Sequence, residues 1–294
     1  MNNILGIATY NQFLLFPFSI TNQRIQLALV PQRLSIENEI SFLTHDSSEF
    51  LLVLNSSSSS SLFHIQQNGR CFLEKLPFYC LCVIPYGNER VYYGKSIYMK
   101  RQDKYEFIHS LPSDGVCGCM NKEGVLIGCQ GGEIVWFDKD KNKSKVIGKM
   151  KRRIKECKYW NNSFVVCDWN GDCWILHTVS YSKQYFSILH LVKKIVVCVC
   201  CNENGILVGT QQGSLWFDWD GYCLDKWNQE RSIQWIEYSS PIVCTISQSN
   251  IQIQVEKGYS FQQIVLYECL LTNRQINFFI MINRILRCFK ILIN

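Results

Sequence analysis

Sixteen cysteines are the first residues here with chemistry to offer, and their spacing decides which chemistry. Cys80 and Cys82, Cys117 and Cys119, and Cys198 and Cys200 stand at alternate positions. In a strand such residues share one face, where a thiol packs as a small apolar group. A zinc site needs C-x₂₋₄-C knuckles on turns, with a second pair downstream. Only Cys198 and Cys201 keep that spacing, and they lie inside the apolar run Ile195–Cys201. Neither a metal nor another cofactor is therefore expected. Disulfides suit short secreted scaffolds. This chain has 294 residues and begins Met1-Asn2-Asn3, with no basic segment before its first apolar run. Phe13–Ile20 is too short to span a bilayer. The sequence reads as cytoplasmic, with reduced thiols.

Signatures of catalysis are missing. The chain has no G-x-S-x-G elbow, no G-x-x-x-x-G-K-[ST] phosphate loop and no H-E-x-x-H. His45, His64, His109, His177 and His190 never fall at ligand spacing and read as hydrogen-bonded surface residues at strand ends. Asp168, Asp172, Asp218 and Asp220 flank glycine turns, where acidic side chains cap the backbone. A propeller hydrolase would need two of them paired, and no spacing pairs them. The expectation is a protein that is not an enzyme.

One charge feature is sharp. Lys139–Lys158 holds ten basic and two acidic residues, a net +8 against +6 for the whole chain. Within it Lys149, Lys151, Arg152, Arg153 and Lys155 form the candidate binding patch. Linking two sheets, the segment should bring much of its charge to one rim. Concentrated positive potential attracts acidic protein faces or an acidic membrane surface. Nucleic acid is the weakest of these readings, because no aromatic residue is interleaved with the basic run.

The elements that must position this patch are strands. Charged residues make up only 18% of the chain and apolar ones 47%, a balance suited to many half-buried strands. Gly124–Asp138 (GVLIGCQGGEIVWFD) and Gly205–Asp218 (GILVGTQQGSLWFD) follow one plan: glycine, strand, polar turn, aromatic strand. Ser163–Leu176 repeats it with Asn170-Gly171 as the turn, a strong hairpin signal. Gly132, Gly171 and Gly213 recur at 39 and 42 residues, the period of a four-stranded blade. Weaker copies turn near residues 11, 58, 95 and 250, the second through the serine run Ser56–Ser61. A β-sandwich also alternates strands and turns, but not with this recurrence.

The expected fold is all-β, a seven-bladed β-propeller over residues 1–268, each blade hiding its faces against its neighbours. A short apolar and basic tail, 269–294, follows as helix or strand. Read as a helix, it carries Arg284, Arg287 and Lys290 on one side and Phe279, Ile282, Leu286, Phe289 and Ile293 broadly opposite.

Trp216–Glu268 resembles the closing part of citron-homology (CNH) propellers of the vacuolar-sorting and TGF-β-receptor-associated family. The matching features are Asp220-Gly221, Trp235, Pro241 with its apolar strand, Ile251–Val255, and Gln263-Ile264 before Leu266. The resemblance implies a module of the HOPS and CORVET tethers. Such a module binds Rab-family GTPases or other tether subunits and sits peripherally on endosomal or lysosomal membranes. It supplies no catalytic residue. The long α-solenoid that follows the propeller in that family has no counterpart before Asn294. A WD-repeat-like scaffold of an RNA-processing or cytoskeletal complex is the alternative, suggested by Trp219-Asp220.

Overall fold

The computed structural model describes residues 3–8, 12–21, 24–27, 32–36, 38–45, 49–57, 59–66, 70–86, 89–101, 104–178, 183–187, 196–211, 213–228, 233–239, 242–247, 250–257, 260–268 and 279–282. Among them strand follows strand, without a helix. Contacts divide the chain into two compact units, Phe78–Gln234 and a second made of Met1–Pro77 with Trp235–Asn294.

The strands fall in chain order into antiparallel sheets. The first holds β1 (Asn3–Ala8), β2 (Gln12–Thr21), β3 (Arg24–Leu27) and β4 (Gln32–Ser35). The second is β5 (Glu39–His45), β6 (Glu49–Asn55), β7 (Ser60–Gln66) and β8 (Cys71–Leu76). Four sheets make up Phe78–Gln234. They are β9 (Cys82–Tyr86) to β12 (Lys104–Ser110), with β10 (Glu89–Tyr93) and β11 (Ser96–Arg101) between, then β13 (Gly115–Met120), β14 (Gly124–Cys129), β15 (Glu133–Asp138) and β16 (Lys143–Lys149). Next come β17 (Ile154–Trp160), β18 (Ser163–Asp168), β19 (Asp172–His177) and β20 (Lys183–Ser187), and then β21 (Val196–Asn202), β22 (Gly205–Thr210), β23 (Gly213–Phe217) and β24 (Cys223–Asn228). The last sheet is β25 (Ile233–Ser239), β26 (Ile242–Ser247), β27 (Asn250–Lys257) and β28 (Ser260–Glu268). Finally β29 (Phe279–Ile282) returns to pair antiparallel with β1. Each turn expected from the sequence separates two paired strands.

Periodicity explains the packing. Every residue of β14, β18 and β22 is buried, because these strands are covered on both faces. On β18, Phe164 and Val166 join Leu126 and Ile134 of the preceding sheet and Met150 just beyond its last strand. The alternate residues Val165 and Cys167 join Val196, Val199, Ile206 and Val208 of the following one. Each such aliphatic side chain contributes about 1.5–3 kcal/mol on burial. The first strands of four sheets, β5, β13, β17 and β21, share a further irregularity. Register slips by one residue between Ile40 and Phe42, Gly115 and Cys117, Ile154 and Glu156, and Val196 and Cys198.

Thirteen cysteines have described side chains, and none of these forms a disulfide. Most fill the core, and burial pushes the thiols of Cys80 and Cys129 up to about 12. Cys117 and Cys119 share β13, and Cys198 and Cys200 share β21. Cys80 precedes its strand. His64 departs from the surface reading: it is 2% exposed in mid-strand. Its Nδ1 lies 3.2 Å from Glu49 and its Nε2 3.2 Å from Glu74. The tail beyond Glu268 lies outside the described residues except for β29.

Candidate functional site

Four consecutive residues form a bow between β16 and β17. Met150 and Ile154 are buried and anchor its two ends, while Lys151, Arg152 and Arg153 face solvent. The Met150 N–H donates to the Gly132 carbonyl over 2.8 Å. A side chain at Gly132, whose φ is +90°, would come within 2.5 Å of the Met150 carbonyl. Only glycine lets the bow lie this close to the β14–β15 turn.

Lys149 ends β16. Its Nζ reaches Glu133 Oε1 at 2.8 Å, and the Ser113 hydroxyl donates to the other carboxylate oxygen at 2.8 Å. Partial burial works against the charge of Glu133, but these bonds prevail and hold its carboxyl below the ordinary value.

Trp169 completes the site from the next hairpin. Asp168 Oδ1 accepts the N–H groups of Asn170 (2.8 Å) and Asp172 (3.0 Å), and Gly171 takes the positive φ that the turn demands. That leaves the Trp169 N–H to donate to the Arg153 carbonyl at 3.1 Å. Trp169 stays 38% exposed. The Arg153 guanidinium lies 5.5 Å from the centre of its ring and Lys155 Nζ 5.0 Å. Lys155 is the residue the β17 register skips, and a bulge of this kind re-aims a side chain. Among the described residues no carboxylate lies within ion-pair distance of Lys151, Arg152, Arg153 or Lys155.

The rest of the basic run lies elsewhere, because β16 spans its sheet. Its seven residues separate the two ends by about 20 Å. At the far end Lys139 pairs with Glu89 at 2.9 Å and stands 4.3 Å over the Tyr86 ring. Lys141 pairs with Asp138 at 2.7 Å. Lys158 faces Glu156 on its own strand, 3.8 Å away. At the Lys149–Arg153 end, Lys95 in the β10–β11 turn stands 6.0 Å from the ring of Tyr79, itself 42% exposed.

The acidic turn residues serve the backbone. Asp218 Oδ1 accepts the Asp220 and Tyr222 N–H groups, as Asp168 does in its own turn. Desolvation raises the carboxyl of Asp168 above its ordinary value. Among the described residues no three His, Cys, Asp or Glu side chains gather in a geometry that could hold a metal ion. Of the residues behind the CNH resemblance, Asp220-Gly221 form the β23–β24 turn and Ile251–Val255 lie in β27, while Pro241 lies outside the described residues. Trp169 and Glu133 were not singled out by sequence. The available signal was a tryptophan standing in a hairpin turn, where burial is not expected.

Four-stranded antiparallel meanders that bury both faces of their second strands define a β-propeller. Comparison of the fold agrees. The RRP9 WD40 repeats superpose with a TM-score of 0.67 at 12% identity, over 80% of this chain and 82% of that one. U3-55K gives 0.67 at 11% identity, over 80% and 83%. The computationally designed Ika8 protein gives 0.60 at 12%, over 74% and 71%. At such identities the likeness is one of fold. Neither a protein-family model nor a curated protein matches the sequence.

Proposed function

We propose that this propeller is a non-catalytic interaction scaffold that docks an acidic partner through the rim around Trp169. One observation carries the reading: Lys151, Arg152, Arg153 and Lys155 have no carboxylate within ion-pair distance among the described residues, and two of them, Arg153 and Lys155, lie against the ring of the exposed, backbone-anchored Trp169. Trp and Arg are the side chains on which interface energy concentrates. Unmatched positive charge speeds encounter with a negative face. Changing Lys151, Arg152 and Arg153 together to Glu should strip partners from the protein in cross-linked affinity purifications while its circular dichroism stays unchanged. Undiminished capture would remove the rim from the mechanism.

The finer reading places the scaffold in vesicle tethering, with a Rab-type GTPase or tether subunit at endosomal or lysosomal membranes among its protein partners and no residue assigned to that contact. Its support is the CNH resemblance of Trp216–Glu268. Recovery of such proteins in the same purification favours it, and recovery of ribonucleoproteins favours a scaffold of an RNA-processing complex.

A further inference from the structure

We propose that the rim binds single-stranded nucleic acid, with Trp169 as a stacking platform and Lys151, Arg152, Arg153 and Lys155 as phosphate contacts. The inference rests on the rim being a docking surface and names what docks.

The basic run contains no aromatic residue, and on sequence that counts against nucleic acid. Folding supplies the missing ring from the neighbouring hairpin. A stacking platform must be exposed yet fixed, and Trp169 is both. The residue is 38% exposed, while its backbone N–H donates to the Arg153 carbonyl and its turn is held by the Asp168 carboxylate. Two cations already lie against that ring, so stacking and phosphate contact fall within one side chain's reach. Tyr79 with Lys95 repeats the aromatic and basic pairing at the same end of the β9–β12 sheet.

A chain of bases and phosphates uses both kinds of group. Every base offers a flat face, and every phosphate a charge. A run of carboxylates would engage the cations and leave the indole idle. A duplex would hide its base faces inside its own stack.

The test measures anisotropy of a labelled oligouridylate, about a dozen nucleotides long, on the full chain at increasing salt. A glutamate-rich peptide and phosphatidylserine vesicles are run beside it. Saturable binding of the oligonucleotide is expected, with log K falling against log salt at a slope of about −3 for four phosphate contacts. Lys151→Glu, Arg152→Glu and Arg153→Glu together abolish it. Trp169→Ala weakens it about tenfold at every salt concentration and leaves the slope alone, since stacking releases no counterions. Trp169→Phe retains most of the affinity. Trp169→Leu, bulky but not flat, replaces the alanine variant should that one fail to fold.

An oligonucleotide that does not bind, or that binds folded Trp169→Ala or Trp169→Leu as tightly as wild type, overturns the inference. Should only the peptide or the vesicles bind through the rim, nucleic acid is excluded and the docking reading stands. If no probe binds and the triple reversal also leaves cellular partners in place, both fall together.

Discussion

Arg153 holds Trp169 twice: its carbonyl accepts the Trp169 N–H at 3.1 Å, and its guanidinium lies 5.5 Å from the centre of the indole. The first contact fixes where the ring emerges, and the second is exposed and exchangeable. Arg153→Ala should therefore cost only about 0.5–1 kcal/mol in urea denaturation, the range of a surface cation–π pair. A loss beyond about 2 kcal/mol would mean that the side chain supports the core.

Gly124 and Gly205 begin equivalent strands, and both face a partner-strand carbonyl. A β-carbon would stand 2.1 Å from Phe137 O at the first and 1.9 Å from Phe217 O at the second. Backbone cannot swing aside as a side chain can. Gly205→Ala and Gly124→Ala are each expected to destabilise by about 3 kcal/mol or more, read as a shift in denaturation midpoint. A change under about 1 kcal/mol would show that the sheets relax there.

These glycines mark how much of the fold could be read in advance. Gly132, Gly171 and Gly213 recur because each sheet makes the same turn between its second and third strands, so the period survives where side-chain identity does not. The strands β14, β18 and β22, whose centres are unbroken apolar runs, were legible for the same reason, since cover on both faces erases alternation. The site was less open to reading. Lys149 to Lys155 are adjacent in sequence, but nothing in their spacing tells that Lys149 is bound to Glu133 or that a bulge turns Lys155 toward Trp169. Such contacts join segments brought together only by sheet register. His64 failed similarly: its two glutamates come from the strands on either side, and no local pattern pairs them.

His64 supplies a third prediction. Its ring is shared by two carboxylates and stacks on Phe72, with centroids 3.9 Å apart. His64→Ala should cost about 2–3 kcal/mol. In a double-mutant cycle with Glu49→Gln the two losses should fall short of additive by about 1 kcal/mol or more. Simple additivity would show that the two side chains do not interact.

Glu133 predicts a pH dependence. Although its partial burial opposes ionisation, Lys149 and Ser113 keep its folded-state value below the ordinary 4.5. The stability it contributes is thus fully present above that value and is lost as pH falls through the lower, folded one. Glu133→Gln should flatten this part of the acid denaturation profile. An unchanged profile would place the acid sensitivity elsewhere.

Thiol labelling gives a fifth. Cys71 and Cys223 are exposed, whereas desolvation pushes Cys82, Cys157 and Cys167 well above the ordinary thiol value. Alkylation mapped by mass spectrometry should mark the first two in the native protein and the other three only in denaturant. Native labelling of Cys157 would show that the β13–β17 packing opens.

The pairing of β1 with β29 sets an order on biosynthesis. As the ribosome extends the chain, Asn3–Ala8 emerges ahead of the other described strands, yet its partner Phe279–Ile282 comes last of them. Until then one edge of the earliest sheet stands open, and an open edge recruits stray strands. A premature stop ahead of Phe279 would leave that edge permanently bare and convert a folding delay into a liability for aggregation.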